Sequence, residues 1–399
     1  MTEKLQIDVS SPERAISQII DFAIASDASD IHINPRKDSV EIFLRSRGAL
    51  YRIGEISHRD YSMLSFEMKR RAGVNAVVKK PHDGRYVHTK PDGEPVPMRF
   101  ASVYCKMFDA DKVTFRIPGK DVNLLDIDKI QFRQSDIMKL KLALRKSFGL
   151  LLVTGPTGSG KTTTLYAALN YIKNLGTLNI LTAEDPVESP VKNTVQIETT
   201  DQTNFEDILV SFLRHDPDVI MIGETRNKET ADISVRAALT GHLVLTTLHA
   251  NTALLSVTRM LDLGIDPFNL IFTLVGILNQ RLLRTLCPHC RVETAPNFET
   301  TYLFNQAKLP VPQSVFEPND DGCQHCISGI SGRTIVYEML TLDNSDQTMM
   351  FETLKNGKSL EETFVPYYKA KQPYQTLLEM SLSLVVDGVI SAEEVLKFA

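Results

Sequence analysis

The stretch Gly149-Leu-Leu-Leu-Val-Thr-Gly-Pro-Thr-Gly-Ser-Gly-Lys-Thr-Thr-Thr164 sets glycines, a lysine and hydroxyls at the spacing G-x-x-x-x-G-K-[ST]. Phosphate oxygens are what such a loop can hold. Gly155, Gly158 and Gly160 let the backbone turn so that successive N–H groups point inward, and a helix expected over Leu165 to Asn174 adds its positive N-terminal end. The segment Gly155, Pro156, Thr157, Gly158, Ser159, Gly160, Lys161, Thr162 and Thr163 is the expected nucleotide cradle. Lys161 is placed to reach the β- and γ-phosphates, and Thr162 offers a hydroxyl to the Mg²⁺ that bridges them. A glycine-rich turn that binds nothing is the plain alternative. An apolar strand before the loop and an amphipathic helix after it argue for the nucleotide.

Further residues that could do chemistry stand at the ends of apolar runs. Ala183-Glu-Asp-Pro-Val-Glu188 carries three carboxylates in six residues, and Gly223-Glu-Thr-Arg226 closes another run. Hydrolysis needs a positioned water and a metal held against phosphate oxygens, and carboxylates can orient the one and support the other. Capping of the next helix, or plain solvation, competes with that reading for either cluster. His242 and His249 stand seven residues apart, an odd spacing that points them to opposite faces of a straight strand. His249, at the C-terminal end, is the candidate γ-phosphate sensor. For His242, spacing supports a loop-orienting role equally well.

Cys287-Pro-His-Cys290 and Cys323-Gln-His-Cys326 form two C-x-x-C pairs with 32 residues between them. Four thiolates in this arrangement suit a closed, structural Zn²⁺ site with no catalytic water. Disulfides are the competing reading, which a cytoplasmic nucleotide-binding chain disfavours. Cys105 falls in a strand-like run and reads as packing.

The elements that must position these residues follow from the pattern. With 399 residues, 43% hydrophobic and 23% charged, the chain should form two or three globular domains. A helix is expected over Pro12 to Ala25 and another over Tyr61 to Ala72. Alternation predicts strands at Asp30–Asn34, Val40–Arg45, Arg85–His88, Val96–Val103 and Lys112–Arg116. From Ser135 helical periodicity leads into the phosphate loop. Beyond it, Asn179–Ala183, Asp218–Gly223 and His242–Leu248 alternate with helices, which implies a parallel sheet buried on both faces. Ligands of such sheets bind at the C-terminal strand ends. Net charge is −5, from 44 basic and 49 acidic residues, which disfavours nucleic acid as the main ligand. No apolar signal region or long apolar span is present in the sequence, so a cytoplasmic chain is expected, with any membrane attachment made through a protein partner.

Together these segments closely resemble the secretion ATPase superfamily, specifically the hexameric motors that assemble type IV pili and type II secretion pseudopili. The resemblance implies an α/β fold with a RecA-like P-loop ATPase core, preceded by a small PAS-like α/β domain. It divides the chain at 1–117, a linker 118–128, the ATPase core 129–283, a tetracysteine zinc-binding subdomain 284–338, and a C-terminal helical region 339–399. It implies that Glu188 activates water, that Glu224 supports magnesium and its waters, and that His242 and His249 form a histidine box. Arg99 and Arg116, and more weakly Arg85, resemble the front-domain arginines that reach the phosphates when two domains close. The implied cofactors are ATP, Mg²⁺ and Zn²⁺. The implied partners are five further copies in a homo-hexamer and an inner-membrane platform protein, with peripheral membrane association through partners and no direct nucleic acid.

The sequence also departs from the family. The usual Gly-Glu-x-Arg-Asp reads Gly-Glu-Thr-Arg-Asn227 here. The chain opens directly on the front domain, whereas extension motors commonly carry a further N-terminal docking domain, which leaves the docking partner open. The retraction motors' Ala-Ile-Arg-Asn-Leu-Ile-Arg-Glu segment does not occur, and those motors usually lack four cysteines, so assembly is favoured over retraction. The competing functions are a DNA-uptake or conjugation-type translocation motor, a retraction motor, and a nucleotide-binding scaffold without useful hydrolysis.

Overall fold

Period-two burial builds the first sheet. In Pro95–Cys105, Val96, Met98, Phe100 and Ser102 point inward while Pro97, Arg99, Ala101 and Val103 face out. The computed structural model describes residues 5–117, 126–200 and 202–399, so most of the expected linker, residues 118–125, lies outside the described residues. The chain forms two compact units, one built on the strands before residue 117 together with residues 325–332, and one on the sheet that follows.

The first unit holds α1 (Pro12–Ala25), β1 (Ala28–Pro35), β2 (Val40–Ser46), β3 (Ala49–Ile56), α2 (His58–Arg71), β4 (His82–Thr89), β5 (Pro95–Cys105) and β6 (Ala110–Arg116). Its strands run in the order β3-β2-β1-β6-β5-β4, with every neighbouring pair antiparallel. One face packs on α1, which buries Ile16, Ile19, Ile20 and Ala23 at helical spacing, and on Tyr61, Leu64 and Met68 of α2. Strand β3 is an addition to the expected elements. On the outer face the register aligns Arg85 with Arg99, Arg99 with Arg116, and Arg116 with Asp30. Directly opposed residues share a face, so three arginines form one cross-strand row.

The second unit begins with α3 (Gln134–Ala143), β7 (Gly149–Thr154), α4 (Lys161–Ile172), β8 (Ile180–Glu184), β9 (Val195–Glu198), α5 (Phe205–Phe212) and β10 (Val219–Ile222). It continues with α6 (Lys228–Leu239), β11 (Leu243–Leu248), α7 (Ala253–Asp262), α8 (Pro267–Thr273), β12 (Leu274–Leu286), β13 (Val292–Thr294), α9 (Phe298–Gln306) and β14 (Val315–Glu317). It closes with β15 (Ile330–Thr341), α10 (Asn344–Lys355), α11 (Leu360–Lys371), α12 (Leu377–Val386) and α13 (Ala392–Leu396). The sheet order is β15-β12-β7-β11-β10-β8-β9, and the pairs from β12 to β9 are all parallel.

Both faces of this sheet are covered. Leu150, Leu152, Ile220, Ile222 and Val244 enter one apolar cluster with α5 to α8, while Leu151, Val153, Val219, Met221 and Leu245 enter another with α3 and α4. Every residue of β7, β8, β10 and β11 is buried, which is why these strands read as mostly apolar runs without alternation. Strand β15 joins the sheet after the cysteine segment and straddles position 338, the expected end of that segment. Helix α4 starts at Lys161 rather than Leu165 and is buried along most of its length, so it is not amphipathic. Among the described residues no helix is long and apolar enough to cross a membrane.

Candidate active site

Parallel pairing brings the C-terminal ends of β7, β8, β10 and β11 to one edge of the sheet. Four segments meet there: the loop 155–160, the turn after Glu184, Gly223-Glu224 and His249. The loop requires its glycines for separate reasons. Gly155 has φ +139°, and a Cβ on it would lie 2.3 Å from the Gln280 carbonyl oxygen. Gly160 has φ +89° and caps α4 in the left-handed region, which suits a residue with no side chain.

Lys161 is half-buried and donates to the carbonyls of Gly155 at 2.8 Å and Pro156 at 3.0 Å. Burial lowers its pKa, and the Glu224 carboxylate opposes that shift. The Ser159 hydroxyl is buried and has no hydrogen-bond partner among the described residues. A cation resting on replaceable carbonyls beside an orphaned hydroxyl, at the positive end of a buried helix, fits a phosphate group. Thr162 and Thr163 follow, half-buried in the first turn of α4. The Thr162 hydroxyl and the Glu224 carboxylate are hard oxygen donors of the kind Mg²⁺ takes.

The loop after β10 is stitched to β11. Thr225 N–H donates to the Thr247 carbonyl at 2.8 Å, and the Thr247 hydroxyl donates to the Gly223 carbonyl at 2.6 Å. This holds Glu224, which is ion-paired with Arg226. His249 is exposed at the end of β11, and desolvation followed by the Lys161 charge holds its imidazole below the usual range, against the pull of Glu224. The shift favours the neutral ring, which can donate one hydrogen bond and accept another. Glu188 is exposed on the turn that follows β8. That turn is fixed from inside, with Val187 N–H bonded to Glu198 Oε1 at 3.0 Å and Val191 N–H to Gln196 Oε1 at 2.7 Å.

His242 does not join this group. It precedes β11 at the opposite strand end, roughly 20 Å of extended chain from His249. Its Nδ1 and backbone N–H both contact the Ala237 carbonyl, at 2.9 and 3.2 Å. Arg85, Arg99 and Arg116 lie in the first unit. Arg85 and Arg99 are exposed, while Arg116 Nε meets the buried Asp30 carboxylate at 3.0 Å. Asn227 caps α6 through Thr230 N–H and donates to Glu206 at 2.7 Å, a bond an aspartate carboxylate could not donate.

The cysteine sulfurs of Cys287, Cys290, Cys323 and Cys326 all lie within 4.8 Å of one another, and none is in a disulfide. Cys287 Sγ and Cys323 Sγ are 3.7 Å apart. Thiolates at about 2.3 Å from a tetrahedral zinc stand about 3.8 Å apart, so the donor set fits Zn²⁺. At the first pair, Cys290 and Arg291 N–H groups both turn onto the Cys287 carbonyl, at 3.3 and 2.9 Å.

Sequence reasoning missed the residues behind the loop. Gln280 on β12 is fully buried, accepts from the Thr164 hydroxyl at 2.9 Å and donates to the Ser159 carbonyl at 2.8 Å. Asn279 donates to Thr154 Oγ1 at 2.8 Å and to the Ala250 carbonyl at 2.9 Å, tying the strand before the loop to the residue after His249. The buried Glu338 on β15 accepts from Ala253 N–H at the start of α7, and from Leu377 N–H at 3.3 Å at the start of α12. Two adjacent amides directly after the apolar run Leu274-Val-Gly-Ile-Leu278 were the available signal, since buried polar groups must find partners.

The family profile described as type II/IV secretion system protein matches residues 6–397. The chain is 36% identical over 392 residues to a type IV pilus assembly ATPase, TfpB, of Acinetobacter baylyi, covering 96% of this chain and 65% of that protein. It is 34% identical over 388 residues to the type II secretion system ATPase E of Vibrio cholerae, covering 96% of this chain and 74% of that one. The chain thus spans just under two thirds of the length of the Acinetobacter relative. Among solved structures, the pilus retraction motor PilT with bound ADP aligns at a TM-score of 0.64 and 26% identity, covering 96% of each chain.

Proposed function

The chain belongs to the type II/IV secretion system protein family, and we propose that it is a Mg²⁺-dependent ATP hydrolase. In this reading it works as a cytoplasmic hexameric motor that powers assembly of a type IV pilus or a type II secretion pseudopilus. It attaches to the inner membrane through a platform protein. The observation that carries the proposal is the meeting of Lys161, Glu224 and His249 at one sheet edge, each felt electrostatically by another. The relatives named as pilus-assembly and secretion ATPases, and the ADP bound to PilT, support the same reading.

Lys161 exchanges the Gly155 and Pro156 carbonyls for phosphate oxygens, a stronger, charge-assisted pairing. When bound, Mg²⁺ neutralises charge between the β- and γ-phosphates. Thr162 and Glu224 are the residues to hold it and its waters. Glu188 orients the attacking water and takes its proton. His249, neutral, donates a hydrogen bond to the γ-phosphate. Arg99 and Arg116 of the first unit supply cationic charge to the phosphates in the transition state, Arg116 leaving Asp30 to do so. The cysteines hold Zn²⁺ as a structural site. The four-cysteine set favours assembly over retraction.

Lys161→Ala should lose ATP binding and all turnover. Glu188→Gln should bind ATP normally and hydrolyse it about 100-fold more slowly or worse, the scale of losing a general base. Steady-state phosphate release at wild-type rate from either pure protein would refute the assignment.

A further inference from the structure

Helix α4 begins at Lys161, and five residues further on it carries a phenol that touches the backbone of Glu188. We propose that Tyr166 is a positioning residue for Glu188, an inference that rests on the hydrolytic role given to Glu188 above. The Tyr166 side chain is 2% exposed. Its hydroxyl donates its single proton to Glu184 Oε2 at 2.5 Å. The lone pairs then accept the backbone N–H groups of Glu188 at 3.1 Å and Ser189 at 3.4 Å.

Glu184 sets this polarity. Its Oε2 accepts the phenol proton, which fixes where that proton points and leaves the phenol oxygen to accept from the two amides. Its other oxygen accepts from Thr182 Oγ1 at 2.6 Å and Gln196 Nε2 at 3.0 Å. Gln196 also donates to the Ser189 carbonyl at 3.1 Å, which pins the turn from its second side. Burial, then Glu184, push the Tyr166 pKa up, so the phenol remains a donor throughout the working pH range.

The consequence is geometric. Glu188 is exposed, while its backbone is referred through one hydroxyl to the helix that carries Lys161. The base and the phosphate-binding cation thereby share a common frame. Glu184 and Glu188 are not redundant in this respect, because Glu184 is buried as the anchor and Glu188 stands outside.

Tyr166→Phe keeps the ring and removes the hydroxyl. Misplacing a reacting group by about an ångström costs up to about 100-fold, so a kcat fall of about tenfold or more is expected, with KM for ATP changed by less than about twofold. Placed in the Glu188→Gln background, Tyr166→Phe should cause no additional fall, because the group it positions is already gone. A wild-type kcat in the single variant, an equal additional loss in the double variant, or a loss expressed in KM would overturn the inference. Normal turnover of Glu188→Gln alone would instead remove the role of Glu188, and this proposal with it. Should Tyr166→Phe not yield folded protein, Glu184→Gln carries the test. Its carboxamide must turn an N–H toward Tyr166, Thr182 or Gln196, so kcat should fall severalfold at unchanged KM, and a wild-type kcat would overturn the proposal.

Discussion

Replacing Gln280 with leucine tests whether the back of the phosphate loop is held by side-chain hydrogen bonds. The side chain is fully buried and makes two bonds, from the Thr164 hydroxyl at 2.9 Å and to the Ser159 carbonyl at 2.8 Å. Leucine preserves approximate volume and loses both. The Thr164 hydroxyl has a fallback in the Gly160 carbonyl, which its own N–H already reaches at 3.1 Å, so its share of the loss is small. The Ser159 carbonyl loses this partner, and stranding a buried acceptor costs about 1–3 kcal/mol. Taking about 2 kcal/mol, and letting all of it fall on loop order, ATP affinity should drop about 30-fold, since about 1.4 kcal/mol is tenfold. Titration of a fluorescent ATP analogue with Mg²⁺, alongside urea denaturation, separates loss of loop order from loss of fold. An affinity within about twofold of wild type, at an unchanged denaturation midpoint, would show that Gln280 merely fills space and would refute the reasoning.

Zinc removal and a buried lysine give two further tests. Chelation should destabilise residues 284–338 by about several kcal/mol, as expected for four thiolates losing a structural ion; zinc content and melting measured together check this, and an unchanged melt with zinc gone would count against the site. Burial lowers the Lys112 pKa from 10.5 to about 8, opposed by Asp30. Between those two values the unfolded chain holds a proton that the folded one does not, so stability rises with pH across this window, after a penalty that is fully present below the folded value. Lys112→Met should flatten that rise in equilibrium unfolding measured from pH 8 to 10.5; an unchanged slope would show that the amine titrates normally in the fold.

The parts legible in the sequence were those whose burial is uniform. Strands β7, β8, β10 and β11 are covered on both faces, so they are mostly apolar and the polar residues that follow them stand out as site candidates. Strand β12 was illegible because Asn279 and Gln280 interrupt it, and polar residues at 0% exposure make sense only once the loop they serve is in place. The start of α4 was misplaced for a related reason. Thr162-Thr-Thr164 is a run of weak helix formers, and the turn forms because Gly160 caps it and Gln280 grips Thr164. The carboxylates at 184, 185 and 188 looked alike in sequence; burial by Tyr166, Thr182 and Gln196 sets Glu184 apart. Spacing gave the histidines opposed faces, and the fold separates them further, by the whole length of β11.

Strand β12 does more than extend the sheet. Adjacent residues of a strand project to opposite sides, so the pair at 279 and 280 lets one strand grip two different loops. Gln280 holds Ser159 and Thr164 on either side of Lys161, while Asn279 holds Thr154 and the carbonyl of Ala250 beside His249. Glu338, on the strand next to β12, then ties the start of α7, four residues after His249, to the start of α12. A displacement of the His249 segment therefore cannot occur without straining either the strand that feeds the phosphate loop or the first turn of α12. The same few buried polar side chains fix the site and connect it to the C-terminal helices.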